Sequence, residues 1–448
     1  MAGTMRKTVE LDKDVYTLAH ERTRHAYELF DTVGVAFSGG KDSTAVLNVA
    51  LEVARDLGRL PLRVVHFDEE VLSQDTVDYV ERVSQLPEVD FVWYALPVPH
   101  GNACSRKEPW WYPWDPDRKD RWVREVPEQA ITAEDLGFFP TQPPDARWSI
   151  PECTGFVWPP DQFGSVGLLM GIRAAESLTR WRAVVRRDVE NYIIPMTSSA
   201  ATLREATVKP PNARNVSKVY PIYDWSTDDV WVAPGRFGWD YNRTYDKMSM
   251  HGLPPEHQRV APPWHTEALA TMPYYKHCYP DLYDKMVDRV AGVNTALRWS
   301  KTELYAYGRD RRQKSTSYTW EEVIARLLQD WPVRVQRDLA KRVKDEIRWH
   351  HKRTDDPLLE DTPHPLTGLS WRFLYAVVSR GDPWGRKVAT STVRQDPEGR
   401  AAHWRKWEAE RDRLIAQGRL DLSKRSGNLK VAPGEMPGET DEQDEVRF

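Results

Sequence analysis

The stretch VGVAFSGGKDSTAVLNVALEV, Val33 to Val53, decides how this 448-residue chain is read. Val33, Gly34, Val35, Ala36 and Phe37 are apolar and rich in β-formers, the pattern of a strand buried on both faces of a parallel sheet. The pattern then breaks at Ser38-Gly39-Gly40-Lys41-Asp42-Ser43-Thr44. Beyond it Ala45, Val46, Val49, Ala50 and Val53 recur at helical spacing. Strand, Gly-Gly turn and helix start follow one another without a spare residue. This makes an anion site: glycines admit close backbone approach and φ > 0, the turn N–H groups converge, and the helix N-terminus adds about half a positive charge. Lys41 and the hydroxyls of Ser38, Ser43 and Thr44 add donors. The spacing is neither GxxxxGK followed by Ser or Thr, nor GxGxxG.

Working outward, Pro61 to Phe67 reads as a second buried strand and Phe91 to Leu96 as a third, with a helix over 76–86 between them. A further helix over 8–31 leads into the first strand. Asp68 follows the second strand, where a doubly wound sheet meets the ribose or base of a ligand, and it is the candidate general base. Ser165 to Met170 reads as a fourth strand ending at Gly171. In the next stretch, Arg173, Glu176, Ser177 and Arg180 fall on one face if it is helical. Two guanidiniums there suit bidentate phosphate contacts, with Glu176 orienting one of them. VYPIY runs into Trp225, after which Ser226 caps a helix carrying Asp228 and Asp229 in its first turn.

Composition narrows the classes. Hydrophobic content of 40% and charged content of 29% describe a globular chain, and a net charge of −4 gives no overall attraction to nucleic acid. No run of 18 apolar residues and no secretory leader pattern occurs, so the expectation is a cytoplasmic protein with no membrane segment. Three cysteines, Cys104, Cys153 and Cys278, lie too far apart for a disulfide framework or a four-cysteine cluster. Residues 97–158 form an insertion dense in Trp, Pro and charge. It is read as tryptophans packed on the sheet or as a platform that stacks a base. Trp331 to Arg353 carries eight basic residues against three acids, so residues 309–353 are the candidate nucleic-acid surface, the alternative being a solvated helix face.

SGGKDS resembles the SGGxDS signature of the PP-loop ATP pyrophosphatases, which implies binding of the ATP pyrophosphate here and cleavage between the α- and β-phosphates. The resemblance also implies Mg²⁺ held by Asp42. GIRAAESLTR resembles the second hallmark of the sulfonucleotide reductases, and YPIYDWSTDDVW the element closing the same catalytic domain. With WVREVP (Trp122 to Pro127), YNRTYDKMSMHG (Tyr241 to Gly252) and RVAGVN (Arg289 to Asn294), the succession is similar to phosphoadenosine phosphosulfate reductase-like proteins. Among these it looks most like the immunoglobulin-binding regulator A type of bacteria and phages, which implies a ParB-like partner. The reductases' C-terminal ECGxH element is missing, and the Glu-Cys-Thr-Gly here, Glu152 to Gly155, sits mid-chain.

The reading is therefore an α/β protein: a doubly wound, mostly parallel sheet of adenine-nucleotide α-hydrolase type over residues 1–245, a mainly helical domain over 246–425, and an acidic, disordered tail over 426–448. Ser38, Gly39, Gly40, Lys41, Asp42, Ser43, Thr44, Asp68, Gly171, Arg173, Glu176 and Ser177 are expected to bind ATP. Lys41, Asp42, Arg173 and Arg180 are expected to act on it, with Mg²⁺ on Asp42. The expected activity is an ATP pyrophosphatase that adenylylates an acceptor. Two alternatives stay open: a sulfonucleotide reductase or sulfurtransferase using Cys153, and a nucleotide-sensing DNA-binding regulator.

Overall fold

The structure, a computed structural model, describes residues 13–105, 107–140, 148–176, 180–181, 184–186, 189–196, 210–211, 214–265, 268–299, 319–383 and 397–420. Ser177, the basic cluster Arg309 to Lys314 and the tail expected over 426–448 lie outside the described residues. The chain divides into two compact units, residues 1–104 with 110–298 and residues 105–109 with 299–448. The boundary expected at 245 thus falls inside the first unit.

The first unit is built on seven strands: β1 (Thr32–Ala36), β2 (Leu62–Phe67), β3 (Val89–Ala95), β4 (Ile131–Thr132), β5 (Val166–Met170), β6 (Ile193–Pro195) and β7 (Val216–Val219). Their order across the sheet is β6-β7-β5-β1-β2-β3-β4, with β6 alone antiparallel to its neighbour. Alternation along each strand sends side chains to two cores. Val33, Val35, Leu62, Val64 and Trp93 join α1 (Val15–Leu29), α2 (Lys41–Leu57), α3 (Gln74–Ser84) and α5 (Thr227–Phe237) on one face. Val65, Tyr94, Val166, Leu168 and Val216 pack on the other face against Cys153 and Val157 of α4 (Ile150–Val157). Helices therefore cover both sides, as a parallel sheet requires.

The insertion serves packing. Trp111, Trp114, Trp148 and Trp158 are all buried, and the ring centroids of Trp114 and Trp122 meet edge to face at 5.2 Å. The strand expected in VYPIY ends earlier, at Val219, because Pro221 to Asp224 make a turn closed by the Tyr223 N–H on the Tyr220 carbonyl. Ser226 then caps α5 with Asp229 in a reciprocal capping box, as its spacing predicts. Asp224 in that turn pairs with Arg22 of α1 through two bonds of 2.9 Å, both side chains 3% exposed.

The second unit is helical among its described residues: α9 (Trp320–Gln329), α10 (Val333–His351), α11 (Trp371–Ser379) and α12 (Pro397–Ala416). Ile324, Leu328, Leu339, Val343, Leu374 and Val378 form its core. On α10, Lys341, Arg342 and Arg348 pair with Asp345 and Glu346 of the same helix, which offsets part of the expected basic surface. His350 and His364 are core residues whose ring nitrogens are bonded to Thr367, the Asp356 carbonyl, the Asp356 carboxylate and the Leu366 N–H. No described helix is long and apolar enough to cross a membrane.

Candidate functional site

From β1 the sheet grows one way through β2 and β3, and the other way through β5 and β7. The gap between the carboxyl ends of β1 and β5 is therefore the topological switch point, where open α/β sheets place ligands. Two segments leave the sheet there: Ser38 to Gly40 after β1 and Gly171 to Arg173 after β5.

Gly39 takes φ 71°, and Gly40 caps α2 with its carbonyl, which accepts from the Ser43 and Thr44 hydroxyls, each at 2.9 Å. The Ser43 hydroxyl also receives the Ser38 N–H at 3.3 Å, so these small side chains shape the turn from inside. Ser38 is exposed, whereas Lys41, Ser43 and Thr44 are buried. A Cβ on Gly171 would lie 2.7 Å from the Asp42 carbonyl carbon and 2.8 Å from the Ser43 nitrogen. Absence of a side chain is thus what lets the second motif lie on the first turn of α2.

Arg173, 4% exposed, crosses this contact, its Nε donating to Asp42 Oδ1 and its Nη1 to the Trp225 carbonyl at 3.3 Å. Of the helix face expected for Arg173 to Arg180, the described start is not α-helical: residues 171–173 are irregular and Ala174–Glu176 is a single 3₁₀ turn. The charges converge all the same. Glu176 accepts from the Arg173 N–H at 3.1 Å and pairs with Arg180 and, at 3.5 Å, with Arg259.

Residues far along the chain close the loop from above. The Tyr245 hydroxyl, on α6 (Thr244–Met250), accepts the Lys41 N–H at 2.9 Å. The Lys41 ammonium donates to the Gln258 carbonyl at 3.1 Å and faces Asp42 Oδ2 at 3.4 Å. Burial lowers the Lys41 pKa, Asp42 opposing that shift and Arg173 and Arg259 adding to it. Asn242 donates to the Gly39 carbonyl at 3.0 Å and to Thr76 at 2.9 Å, fixing the Gly39–Gly40 peptide. Tyr245, Asn242, Gln258 and Arg259 are absent from the sequence-derived site. Tyr245 and Asn242 stand inside the YNRTYDKMSMHG block, but no spacing rule marks which of its side chains reaches residue 41.

Asp68 is placed differently from the expectation. Its carboxylate is fully enclosed, taking Arg124, the Trp93 indole N–H at 2.8 Å and the Glu70 N–H at 2.8 Å. Burial alone would raise its pKa, but Arg124 and the hydrogen bonds hold it below the ordinary value, which removes it as a general base and as a free ribose contact. Beside it Glu70, at φ 58°, makes a buried bidentate pair with Arg289 of the RVAGVN segment, both bonds 3.0 Å. The acidic end of β2 therefore fastens the insertion and helix α8 (Pro280–Arg289), which follows α7 (Met272–Cys278), to the sheet. Cys153 is fully buried in α4, and burial followed by the Glu152 charge pushes its thiol well above the ordinary value. That makes it an inert core thiol.

Asp42 is the residue to which the family resemblance assigns Mg²⁺. Its oxygens face Arg173 and Lys41, and among the described residues no group of three or more His, Cys, Asp or Glu side chains is arranged for an ion. A divalent cation here would sit between two fixed positive charges. The residues do not fit a resident metal.

Residues 252–368 match the family described as "Domain of unknown function (DUF3440)". The Escherichia coli (strain K12) protein called "Uncharacterized protein YbdN" is 27% identical over 397 residues, covering 86% of this chain and 93% of that one. Among solved structures, the phosphoadenylyl-sulfate reductase of Candida auris, in a phosphate complex, is similar at 13% identity and TM-score 0.29, over 53% of this chain and 93% of that one. The U34-tRNA thiolase NcsA of Methanococcus maripaludis is similar at 10% identity and TM-score 0.28, over 68% and 88%. The doubly wound fold rests on the strand order itself.

Proposed function

We propose that the chain binds ATP at the SGGKDS loop and cleaves it between the α- and β-phosphates, passing the adenylyl group to an acceptor. The observation carrying this reading is the packing of Gly171 on the Asp42–Ser43 backbone. It joins the two phosphate-type motifs into one cluster at the switch point. The N–H groups of the first turn of α2 and the Lys41 ammonium receive the β- and γ-phosphates. The Tyr245 hydroxyl stands where a phosphate oxygen is to be received, and it yields to the nucleotide. Arg173 and Arg180 offset charge around the α-phosphorus. An acceptor nucleophile forms a bond to that phosphorus, the bond to the bridging oxygen breaks, and pyrophosphate leaves with the electron pair while the acceptor's proton passes to solvent. Fixed cations stabilise the charge that grows on the leaving group.

ATP labelled separately at the α and γ positions tests the chemistry. AMP or an AMP-acceptor adduct together with pyrophosphate is the expected product pair. ADP with phosphate contradicts the proposal, and tight binding with no cleavage in the presence of cell extract supports the sensing alternative instead. Sulfite transfer through Cys153 is not part of the proposal, because a thiol buried in α4 cannot reach a nucleotide at the loop without unfolding its core.

A further inference from the structure

Arg259 is unlike the other cations of this cluster. It follows Gln258, whose carbonyl holds the Lys41 ammonium at 3.1 Å, and precedes Val260, whose Cγ2 is 3.3 Å from where a Gly40 Cβ would be. The segment 258–260 is thus packed onto the turn. Arg259 itself is 29% exposed, and among the described residues its guanidinium has one polar contact, the 3.5 Å approach to Glu176. Most of its five donors are therefore open to a ligand. Arg173 by contrast is nearly sealed on Asp42 and Trp225.

The charges of the cluster do not balance. Among the described residues, Lys41, Arg173 and Arg259 share the carboxylates of Asp42 and Glu176, and Glu176 is engaged by Arg180 as well. Such an excess repels a metal ion and attracts a polyphosphate, and guanidinium forks match phosphate oxygens in geometry. We infer that Arg259 is a phosphate-binding residue which, with Lys41 and Arg173, lets this site hold a nucleoside triphosphate without a divalent metal. The inference rests on the proposed nucleotide site. It also gives the start of the 252–368 segment a role, because that segment supplies both the anchor for Lys41 and the open cation.

The test is a titration of the full chain with N-methylanthraniloyl-ATP at fixed ionic strength, once in excess EDTA and once in excess Mg²⁺. Expected are dissociation constants within about threefold of each other, displacement of the probe by inorganic tripolyphosphate in EDTA, and about tenfold or greater weakening by Arg259→Ala, the range of a charge-assisted hydrogen bond. Arg259→Lys, which keeps the charge but not the fork, recovers part of that loss. Binding seen only with Mg²⁺, or an Arg259→Ala chain that binds as the wild type does in EDTA, overturns the inference while leaving the nucleotide site standing. No binding in either buffer overturns both. Circular dichroism of each variant, expected to match the wild type at this part-exposed position, separates lost contacts from lost fold.

Discussion

Replacing Tyr245 by Phe tests whether its phenol holds a place meant for phosphate. The hydroxyl accepts the Lys41 N–H at 2.9 Å, and the ring is 3% exposed against Trp231, at 4.9 Å between centroids. Phe keeps the packing and removes only the acceptor. In the free protein the Lys41 N–H is then left without its partner in a buried position, at a cost of about 1–3 kcal/mol. In the nucleotide complex a phosphate oxygen satisfies the same N–H, so the cost is confined to the free state. Each 1.4 kcal/mol is tenfold in affinity, and a loss at the low end of the range predicts about fivefold tighter ATP binding. Isothermal titration with ATP, beside thermal unfolding of the free chain, reads both effects. The expected pair is a lower melting temperature and a smaller dissociation constant. Weaker ATP binding by the Phe variant would mean that the hydroxyl touches the nucleotide directly. No change in either quantity would mean that this N–H is not where phosphate binds.

Three further outcomes are expected. Gly171→Ala drives a methyl group into the Asp42 and Ser43 backbone, so it lowers stability by about 1–3 kcal/mol and weakens nucleotide binding together, read by urea unfolding and titration. Arg289→Ala leaves Glu70 buried with its charge uncompensated, and unfolding free energy falls by about 3–5 kcal/mol; loss of less than 1 kcal/mol, on the order of a surface pair, refutes a buried role. Glu69, raised by burial and then by the neighbouring Asp68 charge to about 8, stays protonated in the fold near neutral pH, whereas its ordinary value is 4.5. A raised acid contributes stability that is whole below about 4.5 and is lost as pH rises through about 8, so the melting temperature falls across that window, and Glu69→Gln flattens the fall.

Much of the fold is legible along the chain. The strands expected at 33–37, 61–67, 91–96 and 165–170 appear within two residues of Thr32–Ala36, Leu62–Phe67, Val89–Ala95 and Val166–Met170, because buried parallel strands are short apolar runs bounded by turn residues. The cap at Ser226 is local and appears as spaced. The site is legible only in its two motif segments. Glu176 and Arg180 come together as the spacing suggests, although Ala174–Glu176 is a 3₁₀ turn. Residues that meet the loop from about 200 positions away, Tyr245 and Gln258, leave no local signature, since their role arises from how the chain returns over the sheet. The same holds for Asp68. Position at the end of β2 marks it for a ligand, yet Arg124 in the distant insertion reaches it first.

The central claim is that the amides and cations at the start of α2 hold the triphosphate. A crystal structure of the chain with an ATP analogue whose α–β bridging oxygen is replaced by a methylene group tests it most directly. The account predicts the β- and γ-phosphates against the first turn of α2, within hydrogen-bond distance of Lys41 and in the place of the Tyr245 hydroxyl. Nucleotide bound elsewhere on the chain, with Tyr245 still on the Lys41 N–H, would contradict it.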